Sequence, residues 1–390
     1  MFHGNTQLGD ANGAYTAEIA MGWAREEAGL HDFDDAGLVV PLHELITRVL
    51  SDLSFTPAGL FNFKATIHRF LLNRLRLQRD LAAYPEILEE DVSDPIIILG
   101  MPRTGTTVLQ RKMSADPQMQ KLSLWRLLNP APFDGEVPGD PAGRFAFARL
   151  VEDATRANPD FTISHETAAD EADEDSYLLL LSFDYMMLHN IFPSPSLLEW
   201  LRSRPRQPPH LLERKLLQYL QWQDGGRRGR RWVLKNPGAV GHLKALHQTF
   251  PKATFVHSHR DMTEVMPSYC RLMEAIYQAL LEPRDLHFHG REALDYWGHE
   301  IACYVRDRAE LGDTINIIDL PYLDLVRDPI PTIKRVYAQA GLAYTAKSES
   351  AIKAWTAQNP QHKHGKADYS LERYGLTAQM IADAFRDATA

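Results

Sequence analysis

The chain is 390 residues long with 44% hydrophobic content, enough for one large core or two modest ones. Charged residues make up 24% and the net charge is −9, so neither nucleic acid nor an anionic membrane surface is attracted globally, and an anionic ligand must be held by a local basic cluster. Two cysteines, Cys270 and Cys303, cannot staple a disulfide scaffold, and the opening "MFHGNTQLGDANG" has neither a basic lead nor an apolar run; a cytoplasmic protein in a reducing compartment is expected.

Residues 1–90 read as a helical layer. In "FNFKATIHRFLLNRL", Phe63, Ile67, Leu71 and Leu75 recur every four residues on one helical face, with Arg69, Asn73 and Arg76 mostly off the stripe. At "DPIIILG" the pattern changes to a short β-branched run ending in glycine, the mark of a buried parallel strand. "TTVLQRKMSADP" then reads as a helix stopped near Pro117. From about Leu122 to Gly226, Pro-rich pieces alternate with apolar helical ones such as "DSYLLLLSFDYMML". The most apolar stretch of this helical insertion, Tyr177–Phe192, is interrupted by Asp184 and too short to span a bilayer. "RRWVLKNP" and "KATFVHSHRD" are strand-like and flank the helical "GHLKALHQTF", a strand–helix–strand unit. "DTINIIDLPYLDLVRDP" adds a strand, and "IPTIKRVYAQAGL" a helix closing at Gly341. The expected architecture is one α/β domain with a parallel sheet flanked by helices: the N-terminal layer, a core over 91–345 carrying the insertion, and a polar tail over 346–390.

In "PIIILGMPRTGTTVLQ" a strand, a glycine turn and a helix start coincide, which makes an anion site: unpaired backbone N–H groups converge there and the helix dipole adds positive charge. Gly100 and Gly105 let the backbone approach a ligand, the Thr106 and Thr107 hydroxyls add donors, and Arg103 lies inside the loop. A nucleoside-triphosphate loop would carry lysine where Thr106 stands. A kinase-like reading, with Asp261 on magnesium, stays open as the runner-up, as does a non-catalytic nucleotide-binding scaffold. In "HSHRDMTEVMPSYC", Arg260 and Ser268 can converge on one phosphate; the competing reading is a surface ion pair of Arg260 with Asp261 or Glu264.

"PRTGTT" closely resembles the 5′-phosphosulfate loop of the sulfotransferases that use 3′-phosphoadenosine 5′-phosphosulfate (PAPS). The resemblance runs from about Pro95 to Leu376 and implies a phosphate-loop sulfotransferase-like fold in which Arg103, Thr104, Gly105, Thr106 and Thr107 hold the sulfate-bearing end of the donor. An arginine and a serine at the spacing of Arg260 and Ser268 bind the 3′-phosphate in that family, which separates PAPS from ATP. "WVLKNPGAVGHL" resembles the strand whose terminal lysine, here Lys235, points at the sulfuryl group. "HKHGKADYSLERYGL" is similar to the tail of bacterial members, which makes Lys363, Gly365 and Lys366 contacts of the 3′-phosphate. "DLPYLDLVRDP" resembles the family's Tyr-Glu-Asp-Leu segment, with Leu323 in the glutamate position.

Sulfuryl transfer needs positioning and charge stabilisation, which Arg103, Lys235 and the loop amides supply without a metal. The acceptor proton needs a base. The cytosolic animal branch places a histidine where this chain has Pro237. His165 and Glu174, in "TISHETAADEADEDSYLL", fall where bacterial members carry a histidine and a glutamate; Glu166 and Glu171 are rivals, and the bland reading of "DEADED" is a solvated helix N-terminus. The acceptor is expected to be a small molecule, lipophilic or phenolic, in a pocket lined by the aromatic residues of the insertion: Trp125, Phe133, Phe161, Phe183, Tyr185 and Trp200. The arginines of "GGRRGRRW" read as a solvated turn, with no aromatic interleaving for nucleic acid. The His257/His259, His287/His289 and His362/His364 pairs lack further ligands for zinc.

Overall fold

The computed structural model describes residues 15–33, 36–137, 139–158, 162, 166–227, 229–359 and 370–386. Three N-terminal helices come first: Ala17–Ala28 (α1), Ala36–Asp52 (α2) and Pro57–Ala83 (α3). Phe63, Ile67, Leu71 and Leu75 are all fully buried, as their spacing predicts. Asn73 and Arg76 are buried too, against the one-stripe expectation. The segment after Leu128 lies over that second face: the Asn73 amide donates to Asn129 Oδ1 at 3.1 Å and its oxygen accepts from the Ala131 N–H, while Arg76 pairs with Asp134 at 3.0 Å. Polar groups off the stripe thus find partners more than fifty residues away, which periodicity alone does not reveal.

Ile96–Leu99 (β1) is buried along its whole length and leads through the glycine loop into Thr106–Ser114 (α4). Met119–Lys121 (β2) follows, a strand too short and polar to stand out in the sequence. Within the insertion, "DSYLLLLSFDYMML" is not one helix. Ser176–Leu179 (α5) tightens into a 3₁₀ turn and ends at Phe183, which has φ 62°, before the chain resumes as a helix at Met187–Ile191. Gln207–Gln223 (α6) returns the chain to the sheet at Arg231–Lys235 (β3). Thr254–His259 (β4), Met262–Leu280 (α7), Leu286–Leu311 (α8), Asn316–Pro321 (β5), Tyr322–Arg327 (α9) and Ala346–Gln358 (α10) complete the elements used below.

The five strands are all parallel in the order β2-β3-β1-β4-β5. Helices cover both faces, as the solid apolar runs of β1 and β3 require. The chain leaves β1 towards β2 on one side of the sheet, whereas β4 leads to β5 on the other. A crevice forms at the carboxyl ends of strands where connections diverge in this way, and the phosphate-type loop after β1 opens there.

Candidate active site

Strand pairing sets the frame. Ile98 is level with Lys235 of β3 and with Val256 of β4, so the loops after all three strands emerge at one edge. In the loop after β1, Gly100 has φ 136°, and a Cβ there would stand 2.3 Å from the Ser258 carbonyl oxygen; only glycine fits. Arg103 occupies the left-handed region at φ 74°, uncommon for a residue with a side chain and a sign that its surroundings hold it there. The Thr104 hydroxyl donates to the Met101 carbonyl at 2.8 Å, and the Thr104 carbonyl accepts from the Ser258 hydroxyl at 2.6 Å. Thr104 is fully buried, so its side chain braces the loop and only its backbone is left to face an anion. Gly105, φ 85°, caps α4 without a side chain, and the first intrahelical bond runs from the Leu109 N–H to its carbonyl. The N–H groups of Thr106 and Thr107 at the helix start thus lack intrahelical acceptors and suit an anion.

The second half of the predicted site lies against this loop. Arg103 Nε donates to the Ser268 hydroxyl on α7 at 3.0 Å. Arg260, just after β4, donates from Nη1 to the Arg103 carbonyl at 3.1 Å, and its guanidinium carbon stands 4.5 Å from the Tyr322 ring centroid. The Arg260–Glu264 ion pair also forms, at 2.5 Å, so the surface-pair reading is correct as far as it goes, but the same guanidinium faces the loop. Tyr322 lines the opposite wall: a Cβ on Gly105 would meet its ring at 2.9 Å. Asp261 is the N-cap of α7, accepting from both the Thr263 N–H and hydroxyl, so it is engaged in ending a strand and starting a helix.

At the end of β3, Lys235 is fully buried and its Nζ donates to Glu174 Oε1 at 2.7 Å. The Lys235 N–H donates to Asp175 Oδ1 at 2.9 Å, and the Asp175 N–H donates to the Lys235 carbonyl at 3.3 Å. The acidic stretch is therefore no solvated helix start: Asp173 and Asp175 are buried, and the chain is pinned to the strand end. Of the rival carboxylates, Glu166 pairs with Arg111 at 3.1 Å and Glu171 accepts from Trp355 Nε1 at 3.0 Å, which leaves Glu174 as the one at the lysine. His165, Lys363, Gly365 and Lys366 lie outside the described residues, as does Phe161.

Sequence reasoning missed Asp175, passed over inside an acidic run, and Tyr322, whose place beside the loop only the β5–α9 connection reveals. Phe183 and Tyr185 are fully buried in the packed core. The arginine-rich turn closes on acidic neighbours: Arg227 pairs with Asp94 at 2.7 Å and Arg231 with Asp94 at 3.3 Å. Among the described residues no group of three or more His, Cys, Asp or Glu is arranged to hold a metal, and no helix is long and apolar enough to cross a membrane. The loop's two obligatory glycines, its free helix start and the arginines around it fit an anionic nucleotide end.

Comparison with known proteins agrees with this geometry. Residues 95–346, well over half the chain, match the model of the sulfotransferase family. The omega-hydroxy-beta-dihydromenaquinone-9 sulfotransferase Stf3 of Mycobacterium bovis is 27% identical over 326 residues, covering 76% of this chain and 74% of the relative. Among solved structures, sulfotransferase STF9 from Mycobacterium avium superposes with a TM-score of 0.84 at 26% identity, covering 97% of both chains. Sulfotransferase STF1 from Mycobacterium tuberculosis superposes with a TM-score of 0.79 at 26% identity, covering 95% of this chain and 98% of that one. These matches set aside the kinase and scaffold alternatives. An α/β phosphate-loop fold, a basic loop without the kinase lysine and a family match across the sheet lead to one conclusion: the chain belongs to the sulfotransferase family and is a sulfotransferase enzyme.

Proposed function

We propose that this sulfotransferase uses PAPS as its donor and a hydroxyl, or less readily an amine, of a small lipophilic molecule as its acceptor. The observation that carries the donor assignment is the meeting of Arg103, Ser268 and Arg260 at a loop with no kinase lysine. The amides of residues 104–107 and Arg103 would hold the 5′-phosphosulfate; Arg260 and Ser268 would hold the 3′-phosphate that ATP lacks. Lys363, Gly365 and Lys366 are proposed to close over that phosphate, with residues 91–345 as the core, 1–90 as a supporting layer and 346–390 as the tail of one domain. Lipophilic acceptors are supported by the dihydromenaquinone named for the Mycobacterium bovis relative.

When bound, PAPS supplies an activated sulfuryl group. Glu174 takes the acceptor's O–H proton as the acceptor oxygen bonds to sulfur; the bond from sulfur to the bridging oxygen breaks, and its electrons leave on adenosine 3′,5′-bisphosphate. Lys235 neutralises the charge that builds on the sulfuryl and bridging oxygens. In the ground state Lys235 is tied to Glu174, and drawing its ammonium towards the sulfuryl oxygens releases the carboxylate to act as base. His165 is the second candidate base. The test is thermal shift with adenosine 3′,5′-bisphosphate against ATP plus magnesium, followed by a labelled-sulfate screen of phenols, sterols, quinols and sugars. The bisphosphate should raise the Tm by mass action, and stabilisation by ATP–magnesium alone would refute the donor assignment.

A further inference from the structure

Behind the Lys235–Glu174 pair lies a buried polar array that this chemistry leaves unused. Asp175, His210, Glu213 and His242 are all at most 1% exposed. One Asp175 oxygen holds the Lys235 N–H at 2.9 Å and the other lies 3.5 Å from Asn236 Nδ2, while the Tyr185 hydroxyl donates to Asn236 Oδ1 at 2.8 Å. The Asp175 and Glu213 carboxyls interact with each other, and Glu213 Oε1 is buried with no hydrogen-bond partner among the described residues. Glu213 Oε2 is 2.9 Å from His210 Nδ1, and His210 Nε2 is 3.1 Å from His242 Nδ1.

Two buried carboxyls that interact cannot both ionise without strong repulsion, and the orphaned Glu213 oxygen lacks a donor, so the pair retains a proton. The nearby cations are engaged elsewhere: Lys235 on Glu174 at 2.7 Å, and Arg206 on Glu300 of α8 at 2.6 and 2.9 Å. Burial, reinforced by the Glu213 charge, pushes the Asp175 carboxyl well above the usual range, and burial pushes Glu213 up to about 7. Burial also pushes His210 down to about 3 and lowers His242, so both imidazoles are neutral and no positive charge compensates the acids. A neutral Asp175 accepts the backbone N–H without competing for the lysine's ammonium; an ionised one beside Glu174 would compete for it.

We propose that Asp175, sharing a proton with Glu213, is a positioning residue that fixes Lys235 and the adjoining Glu174 at the sulfuryl end of the site. What the positioned pair does rests on the sulfuryl-transfer reading above; the shared proton does not.

The test compares wild type with Asp175→Asn, Asp175→Ala and Glu213→Gln in three readouts: affinity for adenosine 3′,5′-bisphosphate, the rate of sulfate release from PAPS to water, and Tm between pH 5 and 8. In the second, water attacks sulfur, the bond to the bridging oxygen breaks, and sulfate, bisphosphate and protons are the products. Asp175→Asn keeps an oxygen for the Lys235 N–H and a donor for Glu213, so its kcat should stay within about threefold of wild type. Asp175→Ala should lose at least about tenfold in kcat with bisphosphate affinity nearly unchanged, because a small misplacement of catalytic groups costs turnover and not nucleotide binding. Equal damage from asparagine and alanine, or undiminished kcat in the alanine variant, would overturn the proposal.

The pH arm needs no activity and covers the case in which the alanine variant fails to fold. The groups facing the pair are His210 on the same helix as Glu213, His242, Lys235, Glu174 and Tyr185, with Arg206 and Glu300 beyond; all are common to wild type and Glu213→Gln. A carboxyl whose folded pKa is raised stabilises fully below its unfolded value and loses that contribution as pH rises through about 7. The Tm of wild type relative to Glu213→Gln should therefore fall from pH 5 to pH 8. Parallel curves would overturn the shared proton. A wild type that shows this slope but does not bind the bisphosphate would sink the donor assignment and leave the array standing.

Discussion

Arg103 Nε donates to the Ser268 hydroxyl at 3.0 Å across 165 residues of sequence, joining the glycine loop after β1 to the helix after β4. The glycine loop and α7 are thus coupled directly, and Arg260 adds a further link through the Arg103 carbonyl. Arg103→Ala and Ser268→Ala should each weaken adenosine 3′,5′-bisphosphate, and the double variant should lose less than the sum, since contacting residues are non-additive by about 0.5–3 kcal/mol. Arg260→Ala should weaken the bisphosphate roughly tenfold or more, the worth of a charge-assisted pair. Calorimetric titration of wild type and the four variants decides it: strict additivity denies the coupling, and unchanged affinity in Arg260→Ala denies the 3′-phosphate role.

Lys235 and Glu174 should behave differently from the phosphate-binding arginines. Lys235→Met removes the charge facing the sulfuryl group and should lower kcat by about 10²–10³-fold. Glu174→Gln removes the base and should cost about 10²-fold or more. Bisphosphate affinity should barely change in either variant, because neither side chain is assigned to a phosphate. Steady-state kinetics on the acceptor identified by the screen, beside bisphosphate titration, separates the two effects; a Glu174→Gln enzyme at full rate would pass the base role to His165.

Gly100→Ala tests the loop's geometry without touching a charge. The new methyl would stand 2.3 Å from the Ser258 carbonyl at a φ that side chains rarely adopt. Denaturant unfolding should show a loss of about 2 kcal/mol or more, from strain and overpacking together. Wild-type stability would mean that the loop adopts a different path.

Glu274 anchors the tail at Arg373 and Tyr374. Its carboxylate takes Arg373 Nη2 at 2.6 Å and the Tyr374 hydroxyl at 2.8 Å, with Arg271 at 3.5 Å. Burial raises its pKa, yet the Arg373 and Tyr374 hydrogen bonds outweigh this and hold it below the usual carboxylate range. Stabilisation from such a group is present above the ordinary carboxylate pKa and is lost as pH falls through the lower folded value. Glu274→Gln should cost about 1–3 kcal/mol at pH 7, and the gap to wild type should close under acid conditions. Thermal melts at neutral and acid pH test it; a gap that widens in acid would contradict the assignment.

Much of this site was legible in the sequence because its parts are local. "PIIILGMPRTGTT" specifies a buried strand, a turn that needs glycine and a helix start within one short segment, and each preference is set by neighbouring residues. Arg260 and Ser268 also share one strand-to-helix connection. Asp175 was missed for the opposite reason: whether it is solvated or buried depends on β3 and α6 packing over it, not on its neighbours. The break at Phe183 was hidden in the same way, since its apolar run fits a continuous helix equally well.

By itself the sequence determined the glycine loop, the strands that frame the candidate site, and the absence of the lysine that a triphosphate loop requires. Only the tertiary structure decided which carboxylate meets Lys235, that Arg103 reaches Ser268, and that Asp175 finds Glu213. Those pairings depend on the parallel register that sets Ile98 level with Lys235 and Val256. Register comes from burying both faces of the sheet at once, a property of the whole packed chain that no single segment encodes.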